Sequence, residues 1–135
     1  MCCNMLSTSM TRVFALLAAV VPCAVSAAEK VSFNDDIRPI LSNHCFTCHG
    51  PDSTTREANL RLDQRDSAIG KAESGLRAIV PGDVAASELI RRVSAAADDD
   101  ERMPPVDGAK PLTPQQIAML KSWIEQGAEY QPHWA

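Results

Sequence analysis

The sequence predicts an all-α fold for one small domain. Three observations carry this. Apolar residues recur at helical spacing towards both ends of the chain. The stretches between them show neither sustained alternation nor a strand–helix–strand pattern. A complete helix-start signal stands near the C-terminal end, at Thr113-Pro114-Gln115-Gln116. The length of 135 residues suits a single domain, and no internal repeat is visible. Hydrophobic residues make up 45% and charged residues 22%, which excludes a disordered tail.

Residues 1–27 read as a secretory signal peptide. Arg12 is the one charge before Glu29, and the apolar run 13–21 has the length of a signal-peptide core. That run is too short for a bilayer, which needs ~20 apolar residues. Val25-Ser26-Ala27 supplies small residues for cleavage, with Ala28 as a near-equal alternative and an uncleaved anchor as the second reading. A lipid anchor at Cys23 is disfavoured by bulky Pro22 before it. Cleavage removes Cys2, Cys3 and Cys23, so residues 28–135 keep only Cys45 and Cys48. Two cysteines are too few for a disulfide framework, although export would place them in an oxidising compartment. The expected location is periplasmic or secreted, with no membrane attachment after cleavage.

The first expected helix runs from 34 to about 44. Ser32 or Asn34 caps it, and Ile37, Ile40 and Leu41 share one face. Pro39 fits only a first turn or a kink, so this helix is short or bent. Residues 54–71 are polar, and Leu60-Arg61-Leu62 is a short stretch that can be extended. Pro81-Gly82 marks a turn, and Asp83 is the expected cap of a helix to about 95 carrying Leu89, Ile90 and Val93. The acidic run 98–101 ends it, and a loop follows over 102–108.

The last helix is the clearest. Thr113 is its N-cap, Pro114 its first residue, and Gln116 completes a capping box. Ile117, Leu120, Trp123 and Ile124 form its buried stripe, and Gly127 ends it. The core available to these helices is thin, because Phe33, Phe46, Trp123, Tyr130 and Trp134 are the aromatics of residues 28–135. A domain of this size gains from a large apolar group at its centre.

Lys+Arg 13 against Asp+Glu 17 gives a net charge of −4, which argues against nucleic acid as the partner. The chemistry lies in Cys45-Phe46-Thr47-Cys48-His49, a C-x-x-C-H sequence that is the attachment signature of c-type haem. Two thiols three residues apart share one side of a helical turn and can add to the two vinyl groups on one porphyrin edge. The following histidine is then carried under the ring, where its imidazole can bind iron. Two other readings fit less well. A thioredoxin-like redox pair needs strands around it. A zinc site would find only His44 and His133 as further ligands. Haem c is the expected cofactor, held by Cys45 and Cys48, with His49 as the proximal iron ligand.

The distal ligand has few candidates. Met119 lies beside Trp123 at the edge of the last helix's apolar stripe and is expected in the core. Met103 stands in a polar loop where an apolar side chain has no packing reason to be, and Pro104 and Pro105 stiffen that loop. A soft thioether suits haem iron in electron carriers, so Met103 is the expected distal ligand. His133 is an alternative in the tail. His44 is another, badly placed beside Cys45. Without any of them the iron would be five-coordinate and open to small molecules. The acidic run 98–101 is read as a solvated loop, with a docking patch for a basic redox partner as the alternative. Arg61, Arg65 and Arg102 are read as ordinary surface arginines, with pairing of one of them to a haem propionate as the alternative.

Three ordered blocks carry a family resemblance. The first is Ser32-Phe33-Asn34-Asp35-Asp36-Ile37-Arg38-Pro39-Ile40-Leu41, followed by Cys45-Phe46-Thr47-Cys48-His49-Gly50-Pro51-Asp52. The second is Ile79-Val80-Pro81-Gly82-Asp83 and Ser87-Glu88-Leu89-Ile90-Arg91-Arg92, then Arg102-Met103-Pro104-Pro105. The third starts at Leu112-Thr113-Pro114, continues through Trp123-Ile124-Glu125-Gln126-Gly127-Ala128 and closes on His133-Trp134-Ala135. Together they resemble the planctomycete-type cytochrome c domain, over nearly all of residues 28–135. The resemblance implies an all-α, cytochrome c-like domain wrapped around covalently attached haem. It also implies haem held by Cys45, Cys48 and His49, and it supports Met103 as distal ligand through the matching Met-Pro-Pro loop.

In that family the domain usually opens a larger secreted protein with further domains. This chain stops at Ala135 and is expected to be a stand-alone carrier, a split gene product or a fragment. The expected function is that of an exported single-haem electron-transfer protein. It has no substrate of its own, is not itself an enzyme, and serves a redox partner protein. The alternatives are a peroxidase-like or other redox module serving a larger secreted catalytic protein, and a haem sensor with an open coordination site.

Overall fold

The computed structural model describes residues 29–72 and 74–132. The signal segment 1–27, His133 and Trp134 lie outside the described residues. The described residues are helical and contain no strand; one isolated antiparallel bridge joins Lys71 and Arg77. Among them no helix is long and apolar enough to cross a membrane.

The chain enters the fold at Ser32, whose hydroxyl accepts a hydrogen bond from the Asp35 amide at 3.3 Å. Its own amide donates to Asp36 Oδ2 at 2.8 Å, so both sides of the helix start are satisfied. The first turn, Phe33–Ile37, is π-helical, and α1 (Arg38–His44) takes over from it. Pro39 sits in the first turn of α1, directly after the π-helical turn, and has no N–H to donate back to that turn. The short or bent helix expected from Pro39 is thus a change of helical pitch. Ser32, rather than Asn34, is the cap.

A one-turn helix, α2 (Phe46–His49), follows α1 directly. The polar stretch beyond it contains α3 (Arg65–Ile69), which the sequence pattern does not announce. Ala68 is its one buried residue, and its carbonyl accepts from the Ile79 amide at 3.0 Å. Leu60-Arg61-Leu62 forms no strand. The Arg61 amide instead donates to Ser67 Oγ at 2.9 Å.

α4 is shorter than the sequence suggests and spans Glu88–Val93. Asp83 caps a preceding turn rather than this helix: its Oδ1 accepts from the Ala86 amide at 3.0 Å. Ser87 stands at the N-cap position and is buried; its hydroxyl accepts from the Val80 amide at 2.9 Å and donates to the Asp83 carbonyl at 2.7 Å. The acidic run does not end α4, which closes at Ser94.

α5 (Pro114–Glu125) has the expected ends. Thr113 Oγ1 accepts from the Gln116 amide at 3.2 Å, and Gln116 Oε1 accepts from the Thr113 amide at 2.8 Å. Gly127 follows the helix with φ +100°, a left-handed conformation that suits glycine.

α5 packs on the π-helical turn and on α4, and α1 packs on that same turn. Ile37, Leu41, Leu120 and Ile124 are fully enclosed between them. Phe33, Trp123 and Tyr130 form an aromatic cluster with ring centroids 4.3 to 5.7 Å apart. Both polar tips are satisfied: Trp123 Nε1 donates to the Glu129 carbonyl and Tyr130 Oη to the Leu62 carbonyl, each at 3.0 Å. Met119 is not in this core. It is 37% exposed, because it lies on a flank of α5 turned away from both packed neighbours.

Two substitutions test this packing. Ser87→Ala leaves the Val80 amide without its acceptor and should lower stability by about 1–3 kcal/mol. Met119→Leu should change it by less than about 0.5 kcal/mol, as expected of a surface position. Urea denaturation with an unchanged m-value would measure both.

Candidate functional site

The site is built on the break between α1 and α2. Cys45 has φ −127° and ψ −36°, outside helical geometry, yet its amide still closes α1 by donating to the Leu41 carbonyl at 2.8 Å. Its own carbonyl starts the next turn, accepting from the Cys48 amide at 3.1 Å and the His49 amide at 2.7 Å. This turn places Cys45, Cys48 and His49 on the wall of one cavity. Cys45 and Cys48 stand as free thiols, not as a disulfide.

The following loop folds back and holds the turn. The Glu57 amide donates to the Cys48 carbonyl at 2.8 Å, and the Leu62 amide to the His49 carbonyl at 2.9 Å. Arg56 clasps the exit, with Nε to the Gly50 carbonyl at 3.0 Å and Nη2 to the Pro51 carbonyl at 2.7 Å. Gly50 is required by space: a Cβ there would lie 2.2 Å from the Phe46 carbonyl oxygen.

The cavity measures about 470 Å³, within the roughly 300–1,000 Å³ of cofactor pockets. Leu60, Leu62, Leu76, Leu89 and Val93 make much of its wall apolar. Met103 lines it too, although 54 residues separate it from His49 in the chain. The Met103 amide donates to the Arg92 carbonyl at 3.1 Å, which pins the loop to the end of α4. Ion pairs reinforce that link. Glu88 bridges Arg91 and Arg92, and Glu101 meets Arg91 Nη1 at 2.9 Å and Arg92 Nη2 at 3.4 Å.

Burial pushes the Cys45 thiol up to about 12, with the nearby Cys48 adding to the shift, so Cys45 is held as the neutral thiol. Burial lowers the His49 imidazole, against an opposing pull from the Glu57 backbone and carboxylate; Arg92 adds to the lowering. The result is a neutral ring with a free lone pair near neutral pH. His49 Nδ1 is buried and has no hydrogen-bond partner within good geometry, the Glu57 backbone lying near it only as a potential acceptor. The hydrogen bond from Arg91, and then that from Arg92, holds the Glu88 carboxyl below the usual carboxylate range.

The structure therefore brings Cys45, Cys48, His49 and Met103 to one cavity. His44 reaches the same wall, but both its ring nitrogens are engaged, by the Lys110 carbonyl at 2.8 Å and Gln116 Nε2 at 3.2 Å. His133 lies outside the described residues. Arg61, Arg65 and Arg102 do not line the cavity, and Arg61 is paired with Asp63. The arginine that does line it is Arg92, which the sequence reading missed and which is paired with Glu88 and Glu101. Its signal was its place one turn after Leu89 on the same helix. Glu101 is taken up by Arg91 and Arg92, while Asp98, Asp99 and Asp100 stay exposed.

Residues 45–107 match the family model described as planctomycete cytochrome C. That stretch of the chain is similar to the domain of this family. No curated protein and no solved structure matches the chain. Similarity to a cytochrome C family points to haem binding and a haem-related redox role. The cavity fits such a group: it offers two thiols, a neutral imidazole and a thioether around apolar walls. Among the described residues no three of His, Cys, Asp and Glu converge as a separate metal site.

Glu88 gives this domain a pH dependence. Its folded pKa is depressed, so its stabilising contribution is full above the unfolded carboxylate value of about 4.3 and is lost as pH falls through the lower folded value. Between about pH 6 and pH 3, the melting temperature of the native protein should fall more steeply than that of Glu88→Gln. Parallel slopes in thermal melts would show that the ion pairs contribute nothing.

Proposed function

We propose that this chain is an exported single-haem electron-transfer protein, with haem joined to Cys45 and Cys48 and ligated by His49 and Met103. The observation that supports this most is the convergence of Met103 with the Cys45–His49 turn on one largely apolar cavity. When bound, haem supplies a one-electron Fe(II)/Fe(III) couple, and the chain's residues determine how that couple behaves.

Each has a distinct part. Cys45 and Cys48 tether, so the cofactor stays with the protein outside the cell. His49, kept neutral by burial, offers a nitrogen donor without first losing a proton. Met103 offers a soft thioether, which favours the reduced metal. Leu60, Leu62, Leu89 and Val93 keep water from the cavity and lower its local dielectric. Arg92 and Glu88 stand together at the wall as an ion pair, so the charge they bring to the cavity is largely balanced. The signal-like segment 1–27 supports a periplasmic or secreted location, and a redox partner protein completes the circuit.

Attachment is tested by changing both thiols. Cys45→Ser with Cys48→Ser, matured in a host that assembles c-type cytochromes, should lose all covalent haem. Mass spectrometry after denaturation reads this directly, and haem still attached to the double variant would sink the assignment.

Ligation is tested at the methionines. Met103→Ala should remove the weak near-infrared sulfur-to-iron band of the ferric protein, lower the reduction potential and admit carbon monoxide or imidazole. Met119→Leu should leave all three unchanged, since Met119 lies on an exposed flank away from the cavity. A spectrum that survives Met103→Ala but changes in His133→Ala would move the distal ligand to the tail.

A further inference from the structure

We propose that His44 is a positioning residue that straps the Met103 loop to the haem-attachment turn. The proposal rests on the haem reading above, and it concerns how firmly the thioether is presented. His44 is the last residue of α1 and precedes Cys45 directly. Its Nδ1 lies 2.8 Å from the Lys110 carbonyl. A carbonyl can only accept, so Nδ1 carries the proton and Nε2 holds a lone pair. That lone pair accepts from Gln116 Nε2 at 3.2 Å. The orientation of the Gln116 amide is fixed independently, because its Oε1 is taken by the Thr113 amide at 2.8 Å. One continuous chain of bonds thus runs from the start of α5, through Gln116 and His44, to the backbone of the loop.

Packing anchors the loop at its flanks, where Pro104 and Leu112 are buried, but hydrogen bonds between them are few. Upstream, Met103 is pinned by the Arg92 carbonyl and Glu101 by the α4 arginines. Downstream, the hydrogen bonds described for residues 104–112 are the local Gly108 amide to Pro105 carbonyl and the one to His44. Val106, at the loop tip, is 80% exposed and cannot hold the loop by packing. His44 therefore couples the two sides of the cavity: the turn that bears Cys45, Cys48 and His49, and the loop that bears Met103.

The test uses the haem-loaded protein, with His44→Ala and His44→Gln. A glutamine amide can donate to one partner and accept from the other, as the neutral imidazole does. His44→Ala should keep its covalent haem. It should bind added imidazole roughly ten-fold more tightly, and hydrogen exchange across residues 103–113 should quicken by a similar factor. His44→Gln should return both readings towards the native values. Unchanged imidazole affinity and exchange in His44→Ala would overturn the proposal. So would a change that His44→Gln leaves in full, since the ring's packing and not its bonds would then be responsible.

If His44→Ala fails to fold, a second pair decides. Gln116→Leu removes the donor to His44 together with the acceptor of the Thr113 amide, and should speed exchange at 103–111, clear of the cap itself. Thr113→Ala weakens only the helix cap and should not; equal effects would overturn the strap. Native protein without covalent haem would overturn the haem reading itself, and this proposal with it.

Discussion

A helix of four residues has almost no stability of its own, because its nucleation cost is spread over too few bonds. Yet Phe46–His49 is the element that must hold two thiols and an imidazole against a single wall. Much of the surrounding structure is explained by the need to hold it. α1 runs into it without a linker, and the Cys45 amide and carbonyl serve both helices. The Cys48 and His49 carbonyls, which a short helix leaves unpaired, are taken by the Glu57 and Leu62 amides. Arg56 and the space at Gly50 close its far end. The loop 50–62 therefore acts as the scaffold of this turn, which accounts for its order despite its polar sequence.

The opposite wall is held by charge and by backbone bonds rather than by a regular element. Glu88, Arg91, Arg92 and Glu101 tie the end of α4 to the chain just before Met103. These pairs are partly exposed, so each alone contributes little, and their effect is to set geometry. Pro104 is buried at the cavity, Pro105 follows it, and neither proline has an amide proton to donate. The hydrophobic core is continuous with the cavity, since Leu62, Leu89 and Val93 belong to both, and Phe33, Trp123 and Tyr130 stack on its far side, between the first turn and α5. Leu62 connects the two regions, since its carbonyl receives Tyr130 and its side chain lines the cavity.

What the sequence by itself determined is local. The C-x-x-C-H spacing fixes which atoms one helical turn can bring together, whatever surrounds it. Thr113 with Gln116, and Gly127 with its positive φ, act across three or four residues, so they read directly as the ends of α5. Met103 stood out as an apolar residue in a polar, proline-stiffened loop, and the family blocks supported it. What only the tertiary structure decided depends on partners distant in the chain. α3 exists because Ala68 meets Ile79, and α4 starts at Glu88 because Ser87 is occupied by Val80 and Asp83. Met119 is exposed because no element packs on its flank of α5. Arg92 and His44 reach the cavity through bonds to Met103, Lys110 and Gln116. A residue's spacing along a helix is set by backbone geometry, whereas its neighbours across the fold are set by how the chain closes on itself. Only the first of these can be read from the order of the residues.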